Sequence, residues 1–79
     1  MVIKILGTSC PNCIRLEDLT KKAVQELNVN AEFVKVREIY KILEYGIART
    51  PGLVINEELK SSGRIPPLEQ IKSWILQAN

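Results

Sequence analysis

Val2 to Leu6 reads VIKIL, a short and largely β-branched apolar run closed by Gly7, and the long helical period behind it limits the fold more than any other feature. From Pro11 to about Leu27 apolar residues recur at helical spacing, at Leu16, Leu19, Ala23, Val24 and Leu27, with Asn28 as a stop. Pro11 suits the first helical turn, where its missing N–H is not needed. Ala31 to Val36 then alternates around Phe33 as a second strand. A strand, a long helix and another strand imply a parallel pair joined by a right-handed crossover.

The rest of the chain extends that unit. Ile39 to Leu43, with Gly46 behind them, read as a short helix ending near glycine. Leu53 to Asn56 and Leu59 to Ser61 make two short strands around the turn at Asn56-Glu57, a hairpin that needs no crossover. Pro66 and Pro67 open a last helix with Leu68, Ile71, Trp74, Ile75 and Ala78 on one face. Trp74 therefore belongs to the core, while Tyr40 and Tyr45 fall at the margin of the short helix. The string is βαβαββα, an α/β fold with a four-stranded mixed sheet and helices on both faces.

A chain of 79 residues supports one domain with a modest core, residues 1–79. Its hydrophobic share of 46% and charged share of 25% are those of an ordinary folded domain. VIKIL is too short for a membrane span or an export-signal core. Two cysteines do not make the disulfide framework of a small secreted domain, so a cytoplasmic protein is expected. The net charge is +2 and the lysines are scattered among acids with few aromatics, so neither nucleic acid nor membrane is expected as a partner. With no histidine there is no Ser/His/Asp arrangement, and the four glycines form no phosphate loop.

Both cysteines, Cys10 and Cys13, stand in the stretch GTSCPNCIRLE, where the first strand ends and the first helix begins. Buried cysteine is common in cores. Here, however, the pair meets the unpaired N–H groups of a helix start, which stabilise a thiolate and draw the thiol pKa below about 8.5. Position therefore favours chemistry, of which two kinds remain. GTSCPNC has the general look of the G-x-x-C-x-x-C loop in heavy-metal-binding domains of the copper-chaperone type, which would make the chain a soft-metal binding or transfer domain. Against this, Thr8 stands where that family has methionine, Pro11 lies between the cysteines, and that fold runs βαββαβ. A structural zinc site also needs about four ligands, which two cysteines and no histidine would complete only by dimerising or by recruiting carboxylates. The other kind is dithiol/disulfide exchange.

Together with CPNC, the segment YGIARTPGLVINEELKSSGRIPPLEQIKSWI resembles the thioredoxin superfamily, and the likeness covers essentially the whole chain. YGI closes a helix, a Thr-Pro about forty residues after the first cysteine opens the third strand, and a hairpin, a glycine and a final helix complete the segment. In size and in Cys-Pro-x-Cys the chain is most similar to glutaredoxins and to the small archaeal and bacterial thioredoxin-like redox-active disulfide proteins. The resemblance implies a thioredoxin-like fold and a thiol-disulfide oxidoreductase without cofactor or metal. Cys10 would be the attacking thiolate and Cys13 the resolving thiol. Pro51 matches the superfamily's cis-proline, Thr50 would offer its backbone to a substrate peptide, and Gly63 would help form the groove. The implied partners of this monomer are disulfide-containing proteins and a thioredoxin-reductase-like or other dithiol electron donor. ARTPG and SSGRIPP do not match the glutathione-binding motifs, and a cytosolic setting favours a reductant.

Two departures stand out. Ser9 precedes Cys10 where thioredoxins carry tryptophan. Lys4 stands six residues before Cys10, at the place of the buried aspartate that serves thioredoxins as proton acceptor. Its ammonium is expected to reach solvent at the sheet's end rather than favour the thiolate by charge. Glu17 and Asp18 lie in the N-terminal half of the first helix, where acids are favourable, with no acid/base role assigned.

Overall fold

The strands richest in apolar residues take the middle of the sheet and the polar ones its edges. A computed structural model describes residues 1–78. In it β1 (Val2–Leu6) and β3 (Gly52–Ile55) are central, with β2 (Glu32–Val36) and β4 (Glu58–Ser62) outside them, in the order β2-β1-β3-β4. β1 runs parallel to β2 and antiparallel to β3, and β3 pairs antiparallel with β4. With α1 (Pro11–Leu27), α2 (Ile39–Glu44) and α3 (Leu68–Ala78), the order is the expected βαβαββα. A central strand is covered on both faces and both edges, so GLVI is buried throughout. EFVKV and ELKSS instead turn charged and polar side chains to water along exposed edges.

Alternation along the strands sends their side chains to two cores. Ile3, Ile5, Leu53 and Ile55 face Leu16 and Ala23 of α1 and Ile71 and Ile75 of α3. Leu6 and Val54 face the other way, toward Ile42 of α2 and Ile47. Burying a side chain of this size stabilises by about 1.5–3 kcal/mol relative to exposure, so the larger cluster holds α1 and α3 to the sheet. Trp74 is half-buried against that cluster, and Tyr40 is exposed.

Element ends obey local rules. Asn28 adopts the left-handed conformation, φ 54°, and its N–H reaches the carbonyls of Gln25 and Val24, closing α1. Asn56 and Glu57, at φ 49° and 68°, make the two-residue turn whose twist matches the flanking strands. Leu53 pairs with Ser61 while Val54 pairs with Leu59, which leaves Lys60 as a bulge in β4. The last helix starts at Leu68 and not at Pro66. A residue before proline is disfavoured in the helical region, and Pro66 lies outside the helix. The Pro67 carbonyl then accepts the N–H groups of Gln70 and Ile71 at 3.0 and 3.1 Å. None of the described helices is long and apolar enough to cross a membrane.

Candidate active site

The cysteine loop is built from the end of β1. Gly7 continues the parallel ladder by donating its N–H to the Val36 carbonyl at 2.9 Å. Ser9 then adopts φ 68°, a left-handed turn without glycine, and delivers Cys10 in extended conformation to the N-cap of α1. Pro11 takes the first helical position. The Cys10 Sγ accepts the Cys13 backbone N–H at 3.1 Å, so sulfur occupies the place where serine or aspartate oxygen caps other helices. The Cys10 sulfur thus lies at the helix start, among the N–H groups that have no partner inside the helix. Cys10 and Cys13 are joined as a disulfide. Cys10 is half-buried, whereas Cys13 is only 4% exposed.

Gly7 brings the second half of the site to the first. A Cβ placed on it would overlap the Cys13 Sγ, and would lie 3.3 Å from the Cys13 Cβ and 3.8 Å from the Thr50 Cβ. Only glycine lets β1 end between Cys13 and Thr50. The Thr50–Pro51 peptide bond is cis, as expected from the sequence, with Thr50 exposed and Pro51 buried. Gly63, at φ 73°, donates its N–H to the Pro51 carbonyl at 2.9 Å, and any side chain there would press on Arg49. Cys10, Cys13, Thr50, Pro51 and Gly63 are therefore gathered at one end of the sheet, linked through Gly7 and Pro51.

Two charged residues have partners that the sequence reading did not assign. Lys4 does not extend free into solvent. Its Nζ lies 2.6 Å from Glu57 Oε1 and donates to the Tyr45 hydroxyl at 2.9 Å, while that hydroxyl donates to Glu57 at 3.1 Å. The hydrogen bonds from Lys4 to Glu57 and Tyr45 raise its pKa above the usual lysine value. Lys4 lies on the α2 side of β1, opposite Ile5, which lines a small cavity with Cys13. Glu17 is the second case. It is buried on the same face of α1 as Cys13, Leu16, Thr20 and Ala23. Lys21 and Lys35 hold its carboxylate at 3.0 and 3.1 Å. The signal was present in the sequence, since Glu17 stands one helical turn after Cys13, on the face that Leu16 and Ala23 mark as buried.

A groove of about 920 Å³ runs over Lys4, Val36, Arg37, Lys41 and Tyr45 on the α2 face and contains neither cysteine. Thiol exchange needs an accessible sulfur with a backbone strip beside it rather than a deep pocket, so a groove without the cysteines does not bear on that chemistry.

A family model described as a thioredoxin domain matches residues 1–76. The chain belongs to the thioredoxin family. It is 47% identical over 72 residues to a thioredoxin of Methanothermobacter thermautotrophicus, covering 91% of this chain and 94% of that one. A thioredoxin of Methanocaldococcus jannaschii is 42% identical over 72 residues, 91% of this chain and 83% of the relative. With its cysteines paired at the head of α1, this member of the thioredoxin family is a protein-disulfide oxidoreductase. The βαββαβ order of the heavy-metal-binding domains is not the order observed.

Proposed function

We propose that the chain reduces disulfides of protein partners in the cytosol, as a monomer and without nucleic acid or membrane. A thioredoxin-reductase-like or other dithiol donor returns it to the dithiol. Cys10 attacks the substrate disulfide as thiolate and forms a mixed disulfide, and Cys13 then attacks Cys10 and releases the reduced substrate. The observation that carries this reading is the asymmetry of the pair. Cys10 is the more exposed of the two residues and sits at the helix start, while Cys13 is buried one turn further in. Beside them the Thr50 backbone serves as a strip for an extended substrate peptide, with Pro51 and Gly63 shaping its floor. Ile14, exposed next to Cys13, adds apolar surface of the kind a protein partner covers.

Single replacements test it. Cys13→Ser leaves a competent nucleophile with no internal thiol to resolve the complex, so mixed disulfides through Cys10 accumulate on non-reducing gels. Cys10→Ser yields neither exchange nor trapping. In a soft-metal site the two cysteines are near-equivalent ligands, and equal behaviour of the two variants would sink the proposal.

A further inference from the structure

The second step of exchange needs a proton acceptor where bulk water does not reach. Cys13 is 4% exposed, and as a thiol it must lose its proton before its sulfur attacks Cys10. Glu17, 9% exposed, lies one turn along α1 on the same face. Cys13 and Glu17 line a small cavity of about 20 Å³ together with Ile5, Ser9, Ile14 and Lys35. A cavity of that size has room for about one water molecule, and Cys13, Glu17, Lys35 and Ser9 among its lining residues carry the polar groups a water needs.

Four elements supply the groups that face Glu17. α1 contributes Cys13 and Lys21, β2 contributes Lys35, β1 contributes only the apolar Ile5, and the loop before α1 contributes Ser9. Burial pushes the Glu17 carboxyl up, but the hydrogen bonds from Lys21 and Lys35 outweigh it and hold it below its ordinary value. It is therefore ionised at neutral pH, and an ionised carboxylate only accepts. Lys21 and Lys35 are 50% and 49% exposed, which connects the far side of the carboxylate to solvent. Lys4 cannot take the role, being a cation held by Glu57 and Tyr45 on the other face of the sheet.

We infer that Glu17 takes the Cys13 proton, through one water in this cavity, as Cys13 attacks Cys10. The inference rests on the roles proposed for the two cysteines. In the mixed disulfide the Cys13 S–H bond breaks and its proton passes by way of the water to the Glu17 carboxylate. The Cys13–Cys10 S–S bond then forms as the Cys10–substrate S–S bond breaks. The departing substrate sulfur leaves as thiolate and is protonated by solvent, to which Glu17 returns its proton past Lys21 and Lys35. The dithiol loses two electrons and the substrate disulfide gains them.

The disulfide of thionitrobenzoic acid separates the two steps, because each half absorbs when released. In stopped flow with the reduced full chain, the first half leaves on attack by Cys10 and the second on resolution by Cys13. In Glu17→Gln the second phase slows by roughly a hundredfold near neutrality, the usual weight of a lost general base. The first phase is unchanged. In the unaltered chain the second phase stays flat with pH between the titrations of the carboxylate and the thiol, whereas in Glu17→Gln it falls about tenfold for each unit by which the pH is lowered. A second phase as fast in Glu17→Gln as in the unaltered chain, or faster, overturns the inference while leaving the oxidoreductase reading intact. Absence of the first phase in the unaltered chain overturns that reading instead. Should Glu17→Gln not fold, the pH profile of the unaltered chain decides alone, and a tenfold fall for each unit by which the pH is lowered across that range overturns the inference.

Discussion

Gly7 and Gly46 answer to different constraints, and alanine separates them. At Gly7 a Cβ lands on the Cys13 Sγ and 3.3 Å from its Cβ, so either the end of β1 or the disulfide must shift. Forced overpacking of that kind costs about 1–3 kcal/mol. At Gly46 no atom lies within 4 Å of the added Cβ, and the cost comes from φ 80° alone. For an L-residue that is about 1–2 kcal/mol. Both variants should therefore unfold at lower urea concentration, but only Gly7→Ala should also slow disulfide exchange. Equal exchange rates in the two variants would show that the contact with Cys13 does not matter to the chemistry. The pairing of Cys10 with Cys13 and the cis bond before Pro51 were legible through the resemblance to the thioredoxin superfamily, which residue type and spacing alone do not supply. The partners of Glu17 and Lys4 were not, because Lys35 and Glu57 come from distant parts of the chain.

Among the elements, every strand and helix was legible in kind and order, because each carries an unmixed period and is separated from the next by a stop. The ends were less so. β3 begins at Gly52 and β4 at Glu58, each one residue earlier than side-chain alternation suggests, because ladder pairing with Leu6 and Ile55 continues past the last apolar side chain. The hairpin turn shows how much one residue at an element's end can hold. Asn56 adopts φ 49°, accepts the Val2 N–H at 3.0 Å through its side chain and donates to the Ala78 carbonyl at 3.4 Å. It thus ties the start of β1 to the turn and to the end of α3. Asn56→Gly keeps the backbone freedom and loses only those side-chain bonds, about 0.5–1.5 kcal/mol each at most. Asn56→Ala loses the bonds and adds the left-handed penalty of about 1–2 kcal/mol. The alanine variant should be the less stable of the two in urea unfolding. The reverse order would mean that the entropy gained by the unfolded glycine chain outweighs the turn geometry.

Ion pairs join elements far apart in sequence, which makes the stability of the whole fold depend on pH in a definite direction. Glu17 links α1 to Lys35 of β2, Glu26 links α1 to Lys72 of α3 at 2.6 Å, and Glu57 links the hairpin turn to Lys4 of β1. All three carboxyls lie below the usual 4.5 in the folded chain. For Glu26 and Glu57 the main cause is the hydrogen bond from the partner lysine. For Glu17 the bonds from Lys21 and Lys35 overcome an opposing burial effect. A group whose folded pKa is depressed contributes fully above its unfolded value and loses that contribution as pH falls through the folded one. Lys4 and Lys72 are shifted upward by their hydrogen bonds to Glu57 and Glu26, so their contribution is complete below the usual 10.5 and fades only as pH rises beyond it. Urea unfolding of the disulfide form should therefore give a plateau of stability from about pH 5 to about pH 10, with a fall on the acid side below 4.5. The three pairs do not weigh equally. Glu57 is 66% exposed, so solvent and salt screen its pair and Glu57→Gln should hardly change the curve. Glu17 is 12% exposed at its side chain, and Glu17→Gln should lower the plateau by about 1–3 kcal/mol and flatten the acid fall. An acid limb equally steep in Glu17→Gln and in the unaltered chain would show that the buried cluster beneath Cys13 is not what acid titrates.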